Sequence, residues 1–183
     1  KWEQTFFDLL SDYRFLPGGR ILANAGTARN ATLLNCFVMG TLDDSIDGLF
    51  HALRESAVTL QAGGGIGLDF SPIRPAGSAA VRTGNVASGP VSFMQLWDAM
   101  CETMTADRVR RGAMMAVLRC DHPDIEAFIA VKRESAGLSR FNLSVLVTDD
   151  FIRAVDAGQD WPLVFGGEVV RHVEARALWD SML

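Results

Sequence analysis

Short apolar runs of strand length, separated by amphipathic stretches of helix length, constrain this chain more than any other feature. Leu34 to Met39, Ile66 to Phe70, Met114 to Leu118, Asn142 to Thr148 and Pro162 to Phe165 read as strands. Strands joined through a helix run parallel, because the crossover returns the chain to the same end of the sheet. The pattern therefore predicts an α/β fold on a parallel sheet.

The helices are read from spacing and caps. Trp2 to Tyr13 places Phe6, Leu9, Leu10 and Tyr13 on one side, and Pro17-Gly18-Gly19 ends the run in a loop. Asp44 or Ser45 caps a helix whose stripe is Ile46, Leu49, Phe50, Leu53, Ala57 and Leu60. Pro90 opens a helix with Phe93, Trp97, Met100, Cys101 and Met104 on one face, Asp121 and Pro123 start another, and Asp149 to Ala157 forms a third. Pro72 to Gly89 and Arg108 to Arg111 show no period and read as loops. The chain starts at Lys1 without Met, and Val173 to Leu183 keeps a helical apolar pattern without a C-cap. Residues 1–183 are accordingly expected to be one partial domain, cut at both ends.

Composition closes off several function classes. With 183 residues, 49% of them hydrophobic, the chain can bury a real core. A net charge of −5 provides no basic field for long nucleic acids. No apolar run reaches membrane length, and the opening KWEQTFFDLL is not a signal peptide, so a cytoplasmic protein without a membrane partner is expected. Cys36, Cys101 and Cys120 are odd in number and lack metal-ligand spacing, which argues against a disulfide framework or a zinc site. As isolated residues, Cys36 and Cys101 read as small buried hydrophobes, Cys120 has only Arg119 nearby to activate it, and His51, His122 and His172 have no assigned role.

The stretch QAGGGIGLDFSPIRP, Gln61 to Pro75, holds four glycines in five positions. Two readings stay open: a helix C-cap with a tight turn, or a close approach of backbone to a phosphate or sugar. It is neither a P-loop nor a dinucleotide fingerprint, because no Gly-Lys-Ser/Thr follows and Leu68 stands where a third glycine is needed. Arg74, Arg82, Arg108, Arg110 and Arg111 lie in the two irregular segments, where guanidinium forks suit phosphates or simply meet solvent. Asp43, Asp44 and Asp47 serve a helix start or accept a ribose hydroxyl.

Taken in order, Arg20-Ile-Leu-Ala-Asn-Ala-Gly26, Asn35-Cys-Phe-Val38, Asp44-Ser45, Gly63-Gly-Gly-Ile-Gly67, Ile73-Arg-Pro75, Ala87-Ser-Gly-Pro-Val-Ser-Phe93, Arg110-Arg-Gly-Ala-Met114, Asp121-His-Pro-Asp-Ile125 and Phe141-Asn-Leu-Ser144 resemble the catalytic subunit of ribonucleotide reductases. The phrase RRGAMMAVLRCDHPDIEAFI is most similar to the adenosylcobalamin-dependent class II enzymes. The resemblance implies the first part of a ten-stranded α/β barrel, converting ribonucleotides to deoxyribonucleotides by a thiyl-radical route with a redox cysteine pair.

It further implies that Cys36 is one reducing cysteine, and that Ala25, Gly26, Asn35, Gly64, Gly65 and Arg110 border the substrate. Asp44, Arg74 and Arg82 then bind a deoxynucleoside triphosphate effector, with Pro75 to Val86 and Ala106 to Gly112 as the two loops carrying its message. The implied partners are a ribonucleotide, that effector, a thioredoxin-like or other dithiol reductant, and a second copy in a homodimer. This sequence has Ile21 where many relatives carry Thr, Asn35 where some carry Ser, and Ala106-Asp-Arg-Val109 without the Gln and glycines of several relatives. It has no Asn-x-Cys-x-Glu segment for the radical cysteine and no second reducing cysteine. The alternative is a nucleotide-binding regulatory module without catalysis.

Overall fold

The computed structural model describes residues 2–28, 31–78, 86–105, 113–134 and 137–183. Helices α1 (Trp2–Ser11) and α2 (Gly19–Asn24) precede strand β1 (Cys36–Val38). Then α3 (Ile46–Gln61), β2 (Gly65–Asp69), α4 (Gly89–Thr105), β3 (Met114–Arg119), α5 (Ile125–Glu134) and β4 (Phe141–Leu146) alternate. The four strands form one parallel sheet in the order β1-β2-β3-β4, with Cys36 opposite Gly65, Ile66 opposite Met114, and Met114 opposite Phe141. Each strand is added on the same side of the last. That singly wound order is how a sheet progresses toward a barrel, whereas a doubly wound sheet reverses at a switch point.

The two faces of this sheet are unlike. Ile66, Leu68, Phe70, Met114, Ala116 and Leu118 are buried, joined by Leu49 and Leu60 of α3, Met94, Trp97 and Cys101 of α4, and Ile125 and Phe128 of α5. Phe70 meets Trp97 and Phe141 edge-on, at centroid distances of 5.4 and 6.2 Å. The alternate residues Cys36, Val38, Gly65, Gly67, Asp69, Met115 and Arg119 lie on the other face, where none is buried and Val38 is 97% exposed. Among the described residues, helices cover one face.

Several expectations are corrected. The loop expected after Pro17 contains α2, and α5 starts at Ile125 because residues 120–124 form a turn. In α3, Ser45 is the N-cap, its hydroxyl accepting the Gly48 N–H, but Ile46 and Phe50 of the expected stripe are 62% and 52% exposed. Ser56 is buried in their place, donating to the Ala52 carbonyl (2.7 Å) and accepting from Trp97 Nε1 (2.9 Å). The face of α3 therefore turns toward α4 through a polar contact that hydrophobic periodicity does not count.

The strand expected at Pro162 to Phe165 does not extend the parallel sheet. As β5 (Asp160–Phe165) it pairs antiparallel with β6 (Glu168–Glu174), a strand the sequence reading missed. Gly166 and Gly167 adopt φ of +61° and +85°, the left-handed pair that folds a two-residue hairpin. The hairpin, with α6 (Asp149–Ala157) and α7 (Ala175–Met182), docks on the end of β3, where Val164 N–H donates to Asp121 O (2.6 Å) and Trp161 Nε1 to Cys120 O (3.1 Å). Helix α1 has no buried residue, so its apolar side meets none of this core.

Candidate functional site

The glycine cluster resolves into three different local causes. Gly63 follows the α3 C-cap at φ +87°, a left-handed turn, with Arg20 Nη1 3.0 Å from where a Cβ would sit. Gly64 is buried, and a Cβ there would lie 2.7 and 2.8 Å from Phe37 ring carbons and 3.0 Å from Thr59 Cγ2. Gly65 and Gly67 have neither constraint: their nearest neighbours would be 3.4 and 4.0 Å away. The protein's own packing accounts for Gly63 and Gly64. Gly65 and Gly67 are the positions where bare backbone remains on the uncovered face.

Cys36 stands beside that bare strip. It opens β1, is exposed, and is in register with Gly65, whose N–H donates to the Asn35 carbonyl at 2.7 Å. The expectation of a small buried hydrophobe fails for Cys36 because β1 is an edge strand whose burial alternates exposed, half-buried, exposed, and Phe37 takes the inward position. It holds for Cys101, and Cys120 is likewise buried on the helix-covered side. Burial pushes the Cys120 thiol upward, away from the reactive thiolate.

Ala25 and Gly26 follow α2, where the Ala25 N–H donates to Ile21 O (2.8 Å) and Gly26 adopts φ +74°. Both are exposed. The first turn of α2 is what reaches the glycine cluster, through the Arg20 guanidinium beside Gly63. Arg20 Nε is buried without a hydrogen-bond partner among the described residues. In sequence Arg20 is only the first residue of the Arg20 to Gly26 motif, and its closeness to Gly63 comes from the tertiary fold.

Asp44 and Arg74 are brought together from 30 positions apart. Arg74 Nε donates to Asp44 Oδ2 at 2.7 Å and Nη2 to the Asp44 backbone carbonyl at 3.2 Å, a two-point contact by a half-buried guanidinium. They lie beyond the C-terminal ends of β1 and β2, while Cys36 and Gly65 open the same strands. The two expected sites thus sit at opposite ends of the sheet. Arg82 and Arg110 lie outside the described residues, as do most of the first loop and all of the second.

His122, which has no role assigned from sequence, and Asp124 both organise the segment carrying Arg74. His122 Nδ1 accepts the Asp124 N–H (3.0 Å), which leaves the proton on Nε2, where it is donated to the Ile73 carbonyl (2.9 Å). Burial lowers the His122 pKa from its ordinary 6.5, opposed by the Ile73 carbonyl and by Asp124, Asp121 and Asp69. Asp124 Oδ2 accepts the Ala76 N–H at 2.8 Å. A His two positions before an Asp at the start of a helix, with Pro between, is the visible trace of this turn.

No group of three or more His, Cys, Asp or Glu among the described residues could hold a metal ion. Two open clefts, about 410 Å³ beside Glu126, Arg133 and Ser181 and about 480 Å³ beside Arg119, His122 and Gly166, involve neither Cys36 nor Arg74. No described helix is long and apolar enough to cross a membrane.

The chain is 42% identical over 185 residues to a vitamin B12-dependent ribonucleoside-diphosphate reductase of Mycobacterium tuberculosis (strain CDC 1551 / Oshkosh), covering 100% of this chain and 26% of the relative. It is 39% identical over 181 residues to the enzyme of the same name from Thermoplasma acidophilum, covering 97% of this chain and 23% of that one. The large subunit of a ribonucleoside-diphosphate reductase from Vaccinia virus (strain Copenhagen) is 28% identical over 163 residues, covering 86% and 21%. This chain spans about a quarter of the length of these curated relatives. Residues 34–181, from the strand of Cys36 to the last helix, match the family described as ribonucleotide reductase, barrel domain, and the chain belongs to that family.

Proposed function

We propose that this chain is the first part of the catalytic barrel of a vitamin B12-dependent ribonucleoside-diphosphate reductase, a cytoplasmic enzyme that makes deoxyribonucleotides. One observation carries the reading: within a chain of this family, the exposed Cys36 thiol lies in register with Gly65 on the uncovered face of the sheet. Bare backbone at Gly65 and Gly67 lets a ribose approach the strand, and the thiol stands at its edge. In multiple turnover Cys36 and a second cysteine of the whole protein give up two electrons and two protons. The substrate loses its 2′ hydroxyl as water, and the resulting disulfide is restored by an external dithiol. Cys101 and Cys120 are not that second cysteine, since both are buried on the opposite side of the sheet.

Adenosylcobalamin, implied by the names of the relatives, would supply radical initiation. No step assigned to this chain passes through it. Asp44 and Arg74 form the proposed effector site: the carboxylate suits a ribose hydroxyl, and the guanidinium keeps donors beyond the two it commits to Asp44. Arg82 and Arg110 complete the effector and substrate contacts in this reading, in a homodimeric parent. No observation favours a regulatory module without catalysis.

The test uses the full-length parent with adenosylcobalamin, a ribonucleoside diphosphate and a dithiol. Cys36→Ser is expected to abolish sustained turnover while substrate still binds. Undiminished multiple turnover in the variant would remove Cys36 from the mechanism. A wild type inactive with every substrate and effector would remove the reductase reading altogether.

A further inference from the structure

The turn between β3 and α5 ties down a segment that starts far from it in sequence. His122 donates to the Ile73 carbonyl, and Asp124 accepts the Ala76 N–H, so Arg74 is bracketed between two anchored residues. Across the same carboxylate lies Gly89, the first residue of α4, at φ +79°. A Cβ there would sit 2.5 Å from Asp124 Oδ2 and 2.9 Å from the Ala76 nitrogen. Gly77 N–H donates to Ala87 O (2.9 Å) and Ala87 N–H to Ser78 O (2.8 Å), so the two ends of the β2–α4 connection run side by side over Asp124.

Two features separate Asp124 from an ordinary packing residue. Ile73 and His122 are buried and close the core beneath the turn, whereas Asp124 is only half-buried at its rim. Asp124 also forms no ion pair among the described residues: its carboxylate accepts a backbone N–H of the Arg74 segment. Losing that carboxylate leaves an amide that water can satisfy, so the core survives while the position of residues 74–76 loosens.

We propose that Asp124 is a positioning residue for the Arg74–Asp44 pair: by holding Ala76 against Gly89, it sets where the guanidinium is presented to a nucleotide phosphate. The inference rests on the reading of Asp44 and Arg74 as the effector site, and extends it to a residue that touches no ligand. Preorganisation is the physical basis, because a guanidinium already held in place loses less freedom when the phosphate arrives.

The test is an effector titration of the full-length enzyme, loaded with adenosylcobalamin and dithiol, using each of the four deoxynucleoside triphosphates. Asp124→Ala is expected to raise the half-activating concentration about tenfold, with effector-free turnover and substrate KM unchanged. Asp124→Asn, which keeps an acceptor oxygen, should recover most of the response, and Gly89→Ala should weaken it as Asp124→Ala does. Hydrogen exchange of peptides covering 74–78 and 86–89 should quicken in Asp124→Ala. If that variant does not fold, Asp124→Asn and Gly89→Ala carry the same comparison. An unchanged titration overturns the proposal, as does a loss of effector-free turnover in step with the effector response, which marks a structural role alone. A wild type that neither binds nor answers to any deoxynucleoside triphosphate refutes the effector reading and removes the proposal with it. Exchange that still quickens would then identify a structural latch.

Discussion

Gly64 and Gly65 are adjacent glycines with opposite reasons for being glycine, and alanine at each separates the two. A Cβ on Gly64 would approach Phe37 ring carbons to 2.7 and 2.8 Å and Thr59 Cγ2 to 3.0 Å, about 1 Å inside ordinary carbon contact. Such overpacking costs about 1–3 kcal/mol, offset by about 0.4–1 kcal/mol from the stiffer unfolded chain. We predict that Gly64→Ala destabilises the protein by about 1–2 kcal/mol. Gly65→Ala, whose nearest contact would be 3.4 Å, should change stability by under about 0.5 kcal/mol yet lower turnover by obstructing the strip beside Cys36. The assay is urea unfolding of the full-length parent together with steady-state reduction, with Gly64→Ala/Phe37→Leu as the third variant. The double variant should regain stability, because the smaller side chain vacates the space. A Gly64→Ala protein as stable as Gly65→Ala, or one that Phe37→Leu fails to rescue, would refute the packing explanation.

Ser56→Ala removes the acceptor of the buried Trp97 N–H and should cost about 1–3 kcal/mol, much of it recovered in Ser56→Ala/Trp97→Phe as read by thermal unfolding. His122 is held neutral by burial, with its pKa below 6.5 in the folded state, so below about pH 6.5 the unfolded chain binds the extra proton. Its contribution to stability is therefore complete above that pH and lost as pH falls from 6.5 toward the lower folded value; His122→Gln, which keeps a donor for Ile73, should flatten that part of the stability profile. In native-state alkylation followed by peptide mass spectrometry, Cys36 should be modified well before Cys101 and Cys120, and equal rates would contradict the assigned faces of the sheet.

Much of the fold was legible because its signals are local. The cap at Ser45, the buried runs at Ile66 and Met114, and helix α6 from Asp149 to Ala157 each follow from a few neighbouring residues, and the structure places them there with small shifts. The hairpin of β5 and β6 was also written locally, in Gly166-Gly167, but a strand period alone does not say which partner a strand takes. The orientation of α3 was not legible, since a buried serine paired with a tryptophan 41 positions away looks polar in sequence.

At the candidate site, residue types and order along the chain came from sequence, and they sufficed to point to Cys36, the glycines, Asp44 and Arg74. Only the tertiary structure decided which glycine answers to φ, which to Phe37 and which to open space, because each depends on atoms brought in by other strands and helices. It alone joined Asp44 to Arg74 and drew in His122 and Asp124 across 49 and 48 positions, since such hydrogen bonds exist only after parallel crossovers align the strand ends.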